Sequence, residues 1–191
     1  MKAKFLLSVV MIGIFAVAAL WLPWQGRADA ATLTPVLQAL PSTQGKTGRD
    51  YLQPQRPTLI KFWASWCPLC LAELQQTEQW ASDSRFQRAN LLTIASPAFL
   101  GEKKGADFQT WYAGLSYPKL PVLLDNGGKI ARDLEIGVYP AWVVLDKHGK
   151  VQRIIKGSLN EQQALALIDN PAADVVNYKP LFTNLKPNPF P

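Results

Sequence analysis

The sequence predicts an α/β domain with a central mixed sheet flanked by helices, and three stretches carry that prediction. "TLIKFWAS" (58–65) is β-branched and aromatic, and "NLLTIASP" (90–97) is a near-continuous apolar run of the kind buried on both faces of a sheet. Between them "LCLAELQQTEQWASDSRFQ" (69–87) has helical spacing, with Leu71, Leu74 and Ala81 among its apolar positions. Strand, helix and strand at this separation make a parallel βαβ unit. "AWVVLDKHGKVQRIIKG" (141–157) is a hairpin, two β-branched runs around a turn supplied by Gly149.

The remaining elements follow in order. Residues 1–30 open with Lys2 and Lys4, run apolar from Phe5 to Leu22, and close on Ala28 and Ala30 in a small-x-small arrangement. This is an export signal, cleaved after Ala30 or retained as an N-terminal membrane anchor. Either outcome leaves the rest of the chain periplasmic, soluble or tethered to the inner membrane. Residues 31–56 are a polar, proline-containing lead-in with room for one short element. The domain proper is 57–169. Within it, 106–115 is helical, 121–125 is a short apolar strand and 127–135 is a short helix. A last helix spans 158–169, with Ser158 and Glu161 as its capping box. Residues 170–191 form a proline-rich C-terminal tail expected to pack loosely.

The chain carries a formal net charge of +6, and removing 1–30 takes away Lys2, Lys4, Arg27 and Asp29 without changing the sign. The basic residues are scattered and form no stripe with aromatics, which argues against nucleic acid.

The two cysteines, Cys67 and Cys70, are the only ones in the chain. As a staple they would close too short a loop to stabilise much. As metal ligands they lack companions, because the single histidine, His148, falls in the hairpin turn. No metal and no cofactor is therefore expected. A Cys-x-x-Cys pair where a strand gives way to a helix is a redox signature. At that junction the unpaired N–H groups and the helix dipole favour a thiolate at Cys67. Pro68 fits the first helical turn, where its missing N–H costs nothing. Cys70, one turn further in, is the less exposed. The spacing thus divides the roles: Cys67 attacks a partner's disulfide and Cys70 resolves the mixed disulfide.

"FWASWCPLCLAE" followed later by "GVYPAWVVLDKHGKVQRIIKG" resembles a thioredoxin-like domain, and more narrowly the exported TlpA-like reductases. Those share the Trp-Cys-x-x-Cys-x-x-Glu pattern and an insertion, here at about 96–120. "TLIKFWASWCPLC" and "EKKGADFQTWYAGLSYPKLPV" are similar to the N-terminal thioredoxin-like domain of periplasmic methionine sulfoxide reductase fusions. The Gly-Cys-Phe-Trp motif of the reductase domains does not occur, so the resemblance implies a stand-alone electron-carrying module. It further implies that Pro140 is a cis-proline facing the cysteines and that Tyr139 presents its backbone to substrate. Trp66, Pro68 and Leu69 complete the implied substrate-binding surface, while Trp63 and Trp142 read as ordinary, partly buried tryptophans. Glu73 shares a helical face with Cys70 and matches the family's acidic residue, an implied proton acceptor for it.

One position departs from the pattern. Thioredoxins bury an acid six residues before the first cysteine, where this chain has Lys61. Lys61 either snorkels out of the strand end or pairs with Glu73 beneath Cys70. The function expected is that of an exported thiol–disulfide reductant. Its implied upstream donor is a DsbD-type membrane reductase and its implied client a methionine sulfoxide reductase. Cytochrome-c maturation and a DsbA-like oxidant or isomerase role are the alternatives, with a non-catalytic binding module behind them.

Overall fold

The computed structural model describes residues 32–175. The export segment and the tail from 176 onward lie outside the described residues. Five strands form one sheet: β1 (Thr58–Trp63), β2 (Asn90–Ala95), β3 (Val122–Leu124), β4 (Ala141–Leu145) and β5 (Val151–Lys156), in the order β3-β2-β1-β4-β5. β1 pairs parallel with β2, and β2 with β3. β4 runs antiparallel to both β1 and β5. The mixed sheet expected from the βαβ unit and the hairpin is therefore present.

Six α-helices accompany these strands among the described residues. They are α1 (Thr34–Ala39), α2 (Pro68–Ala72), α3 (Leu74–Ser82), α4 (Gly105–Ala113), α5 (Lys129–Asp133) and α6 (Glu161–Asp169). Side chains alternate along each strand, and this alternation sorts the core. Ile60, Phe62, Leu92, Ile94, Val143 and Leu145 pack with Leu37 of α1 and with Ile130 and Ala131 of α5. Leu59, Leu91, Trp142 and Val144 pack with Trp80 of α3 and the apolar face of α6. Trp63, Ala95, Val122 and Leu124 pack with α2, Leu74 and the aromatic residues of α4. Trp63 and Trp142 are fully buried, beyond the partial burial expected of them, because both side chains lie on a sheet face covered by helices.

Lys61 lies between the last two clusters. It is in register with Trp142 on β4 and Thr93 on β2, so two adjacent polar residues, Lys61 and Thr93, interrupt an otherwise apolar sheet face. Its side chain is fully buried and does not snorkel out.

Three details differ from the sequence reading. The helix predicted over 69–87 is broken at Glu73 and ends at Ser82. Thr77 Oγ1 donates back to the Glu73 carbonyl at 2.8 Å, an arrangement that bends helices. Beyond Ser82, Phe86 folds back to stack on Trp80 with ring centroids 5.0 Å apart. Secondly, the capping box of α6 is Asn160 with Gln163, not Ser158 with Glu161. Asn160 stands directly before the first helical residue, so its side chain reaches the N–H groups that need a partner. Thirdly, the start of the tail is anchored. Val175 is buried, its carbonyl accepts from Gln163, and Arg153 donates to the Ala172 carbonyl.

Candidate active site

β1 runs out at Trp63, and the chain turns through Ala64, Ser65 and Trp66 before α2 begins. Cys67 is the N-cap of α2, with extended backbone, and Pro68 follows in the first turn. Cys67 Sγ accepts from the Cys70 backbone N–H at 3.2 Å, one of the donors a helix start leaves unpaired. The two cysteines form a disulfide with their Cα atoms 5.3 Å apart. Cys67 is 5% exposed and Cys70 0%. Trp66 and Leu69, on either side, are 49% and 54% exposed. Such exposure of large apolar side chains is informative where it clusters.

The Tyr139–Pro140 peptide bond is cis. Ala141 pairs with Phe62, which sets Pro140 level with Trp63 at the sheet end that carries the disulfide. The Tyr139 ring lies 5.8 Å from that of Trp66 and packs against the cluster containing both cysteines. Burial raises the Tyr139 phenol above its ordinary value; Ser96 opposes the shift, and Asp125 and Glu102 add to it. Val138, beside it, is exposed. Trp66, Leu69, Tyr139 and Val138 therefore form an apolar rim next to the disulfide.

Behind the cysteines lies the pair anticipated from Lys61. Lys61 Nζ donates to Glu73 Oε2 at 2.6 Å and to Thr77 Oγ1 at 3.4 Å, and it stands 5.5 Å from the centre of the Trp142 ring. The lysine side chain is 1% exposed and the glutamate 17%. Desolvation pulls the Lys61 pKa down, against the opposing pull of Glu73. The second carboxylate oxygen of Glu73 accepts from the Ser158 hydroxyl. Glu73 thus takes one donor from β1 and one from the turn after β5.

Sequence reasoning missed a second carboxylate. Glu102, in the loop that opens the insertion, is buried. It accepts from Ser65 N and Oγ, both at 2.5 Å, and from Lys103 N at 2.7 Å. Lys103 Nζ adds a bond to Ser65 Oγ at 3.0 Å. This loop includes Ala98 and Leu100 at positive φ, a conformation that needs surrounding contacts to persist. Glu102 ties it to the turn two residues before Cys67. Asp125 was missed as well: its buried carboxylate accepts from Ile130 N and Ala131 N and caps α5. Neither has a sequence signal, since loop positions lack periodicity and Glu102 precedes a lysine pair that reads as solvated.

The sheet, its helices and a disulfide at a helix start define a thioredoxin-like thiol–disulfide oxidoreductase. The chain belongs to the Redoxin family, whose model matches residues 38–168. Its fold is similar to the crystal structure of the N-terminal domain of PilB from Neisseria gonorrhoeae. The TM-score is 0.75 at 58% identity, over 76% of this chain and 97% of that one. Among curated proteins it is 23% identical to the sporulation thiol-disulfide oxidoreductase A of Bacillus subtilis, over 85% of this chain and 94% of that protein. It is 31% identical to the thiol:disulfide interchange protein DsbE of Pasteurella multocida, covering 60% of this chain and 59% of that relative. No helix among the described residues is long and apolar enough to cross a membrane.

Proposed function

We propose that this protein is a periplasmic reductant: its dithiol reduces the disulfide of a client protein, and a membrane reductase of the DsbD type restores it. The observation that carries the reading is the 58% identity to nearly the whole of a domain that forms the N-terminal part of a larger protein, PilB. A domain that occurs joined to further sequence fits a module whose work is done on a partner. The similarity of 58–70 and 102–122 to the electron-carrying module of methionine sulfoxide reductase fusions supports such a reductase as the client. Its catalytic cysteine must be re-reduced after each repaired methionine. The export signal at 1–30 supplies the compartment, and the domain from about 57 to 169 does the chemistry.

In the reducing direction Cys67 thiolate attacks one sulfur of the client disulfide, and the other client sulfur leaves as a thiolate. Cys70 gives its proton to the Glu73 carboxylate and displaces the client from Cys67. Two electrons have then moved to the client, and the Cys67–Cys70 disulfide is closed. The donor returns two electrons, and two protons complete the dithiol. Trp66, Pro68, Leu69, Tyr139 and Pro140 form the surface on which the client rests, the exposed rings and aliphatic groups providing contact area and the backbone beside Pro140 a strand-like edge.

A Cys70→Ser variant cannot resolve the mixed disulfide, so it accumulates the client through Cys67. Expressed with its leader and isolated without reductant, it should carry a methionine sulfoxide reductase. Capture of a cytochrome-c maturation component would move the protein to that pathway. Capture of many unrelated folding proteins would overturn the reductant reading in favour of a DsbA-like oxidant.

A further inference from the structure

The turn after β5 touches both sides of the site. Gly157, at φ 110°, holds a backbone conformation that side chains rarely adopt. Its N–H donates to the Pro140 carbonyl at 2.8 Å. The next residue, Ser158, is solvent-exposed and gives its hydroxyl to Glu73. Asn160 and Gln163 cap α6 without help, so this hydroxyl serves no capping role. Lys61 occupies the other Glu73 oxygen from inside the core. The carboxylate is held by Lys61 from β1 and Ser158 from the turn; Thr77 from α3 accepts from Lys61, and Cys70 stands three residues earlier in the chain. β4 contributes only the Trp142 ring, stacked over the lysine.

We infer that Ser158 is a positioning residue for the resolving step: with Lys61 it aims the Glu73 carboxylate, and its hydroxyl links that carboxylate to water. The inference rests on the reading of Glu73 as the proton acceptor for Cys70. In the step, the Cys70 S–H proton moves to Glu73 and the Cys70 electron pair forms the bond to Cys67 Sγ. The pair of the broken mixed-disulfide bond leaves on the client sulfur. Glu73, itself partly exposed, then returns its proton to solvent, and the Ser158 hydroxyl, which accepts that proton as it releases its own, supplies a route for it. Of the two groups holding Glu73, only Ser158 reaches water, because Lys61 is sealed in the core.

Stopped-flow reaction of the reduced full-length protein with equimolar dithiobis(nitrobenzoate) separates the steps. A first nitrothiobenzoate is released as Cys67 attacks, and a second as Cys70 displaces the one bound to Cys67. Ser158→Ala should slow only the second phase, about five- to tenfold, as expected for loss of one typical hydrogen bond at a solvent-exposed site. Ser158→Thr, which keeps the hydroxyl, should restore the rate of that phase. Glu73→Gln run beside it keeps the two readings apart. If Glu73→Gln leaves the second phase untouched, the proton-acceptor reading falls and this inference with it. If Glu73→Gln slows it while Ser158→Ala matches the parent protein, the role of Ser158 alone is overturned. Equal slowing of both phases by Ser158→Ala, or no rescue by threonine, would mark the hydroxyl as merely structural and also overturn the inference.

Discussion

Lys61 spends its whole side chain inside the protein to meet a carboxylate that sits 17% exposed at a helix break. Removing one partner of a buried ion pair is costly because the other is left uncompensated. Lys61→Ala, which also empties a long buried side chain, is expected to destabilise the oxidised protein by about 3 kcal/mol in urea titrations. The pH dependence has a definite sign. Burial holds the folded-state pKa of Lys61 below its ordinary value of 10.5. Between those two values the unfolded chain holds a proton that the folded one does not, so stability rises with pH across that window. Below the window the cost of the buried charge is fully present. Lys61→Met fills similar space without a charge, and its stability profile should lack this alkaline rise. A methionine variant with the same rise would show that some other group produces it. The sequence alone revealed that Lys61 must be paired or must snorkel, because an uncompensated buried charge is expensive. It did not reveal Ser158, since a serine three residues before a glutamate reads first as a capping box.

At the scale of elements, the strands and the hairpin were legible because their signal is local. Apolar runs, a period of two and one turn glycine suffice to read β1, β2, β4 and β5. The break between α2 and α3 was not legible, because it depends on Thr77 bonding back to the Glu73 carbonyl and on Glu73 turning toward a strand. The loop that begins the insertion was opaque for the same reason. Its shape is set by Glu102 reaching Ser65, contacts that are remote in sequence. Glu102→Ala leaves the buried Ser65 N–H without its acceptor and should cost about 2 kcal/mol. Hydrogen exchange at the Ser65 amide should accelerate, while Glu102→Gln, which retains an acceptor, should lose less. Unchanged exchange in the alanine variant would mean that the loop is held by something else. Ser65 lies two residues before Cys67, so loosening this loop should also slow the attack of Cys67 on a disulfide.

For the whole molecule the question is the direction in which electrons flow. Oxidants and reductants of this fold share a nucleophile at a helix start and differ in how far the reduced form is stabilised. Here the fold brings carboxylates to both sides of the cysteine pair: Glu73 one turn after Cys70, and Glu102 against the turn before Cys67. Nearby negative charge disfavours a thiolate, and with it the extra stability of the reduced form on which a strong oxidant depends. Lys61 offsets part of this at Glu73 and Lys103 part of it at Ser65. The most direct test is the equilibrium reduction potential of the Cys67–Cys70 couple, titrated against glutathione and dithiothreitol buffers. The account predicts a value among the reductants, from about −200 to −270 mV or lower. A value near about −120 mV, that of a strong oxidant, would contradict it.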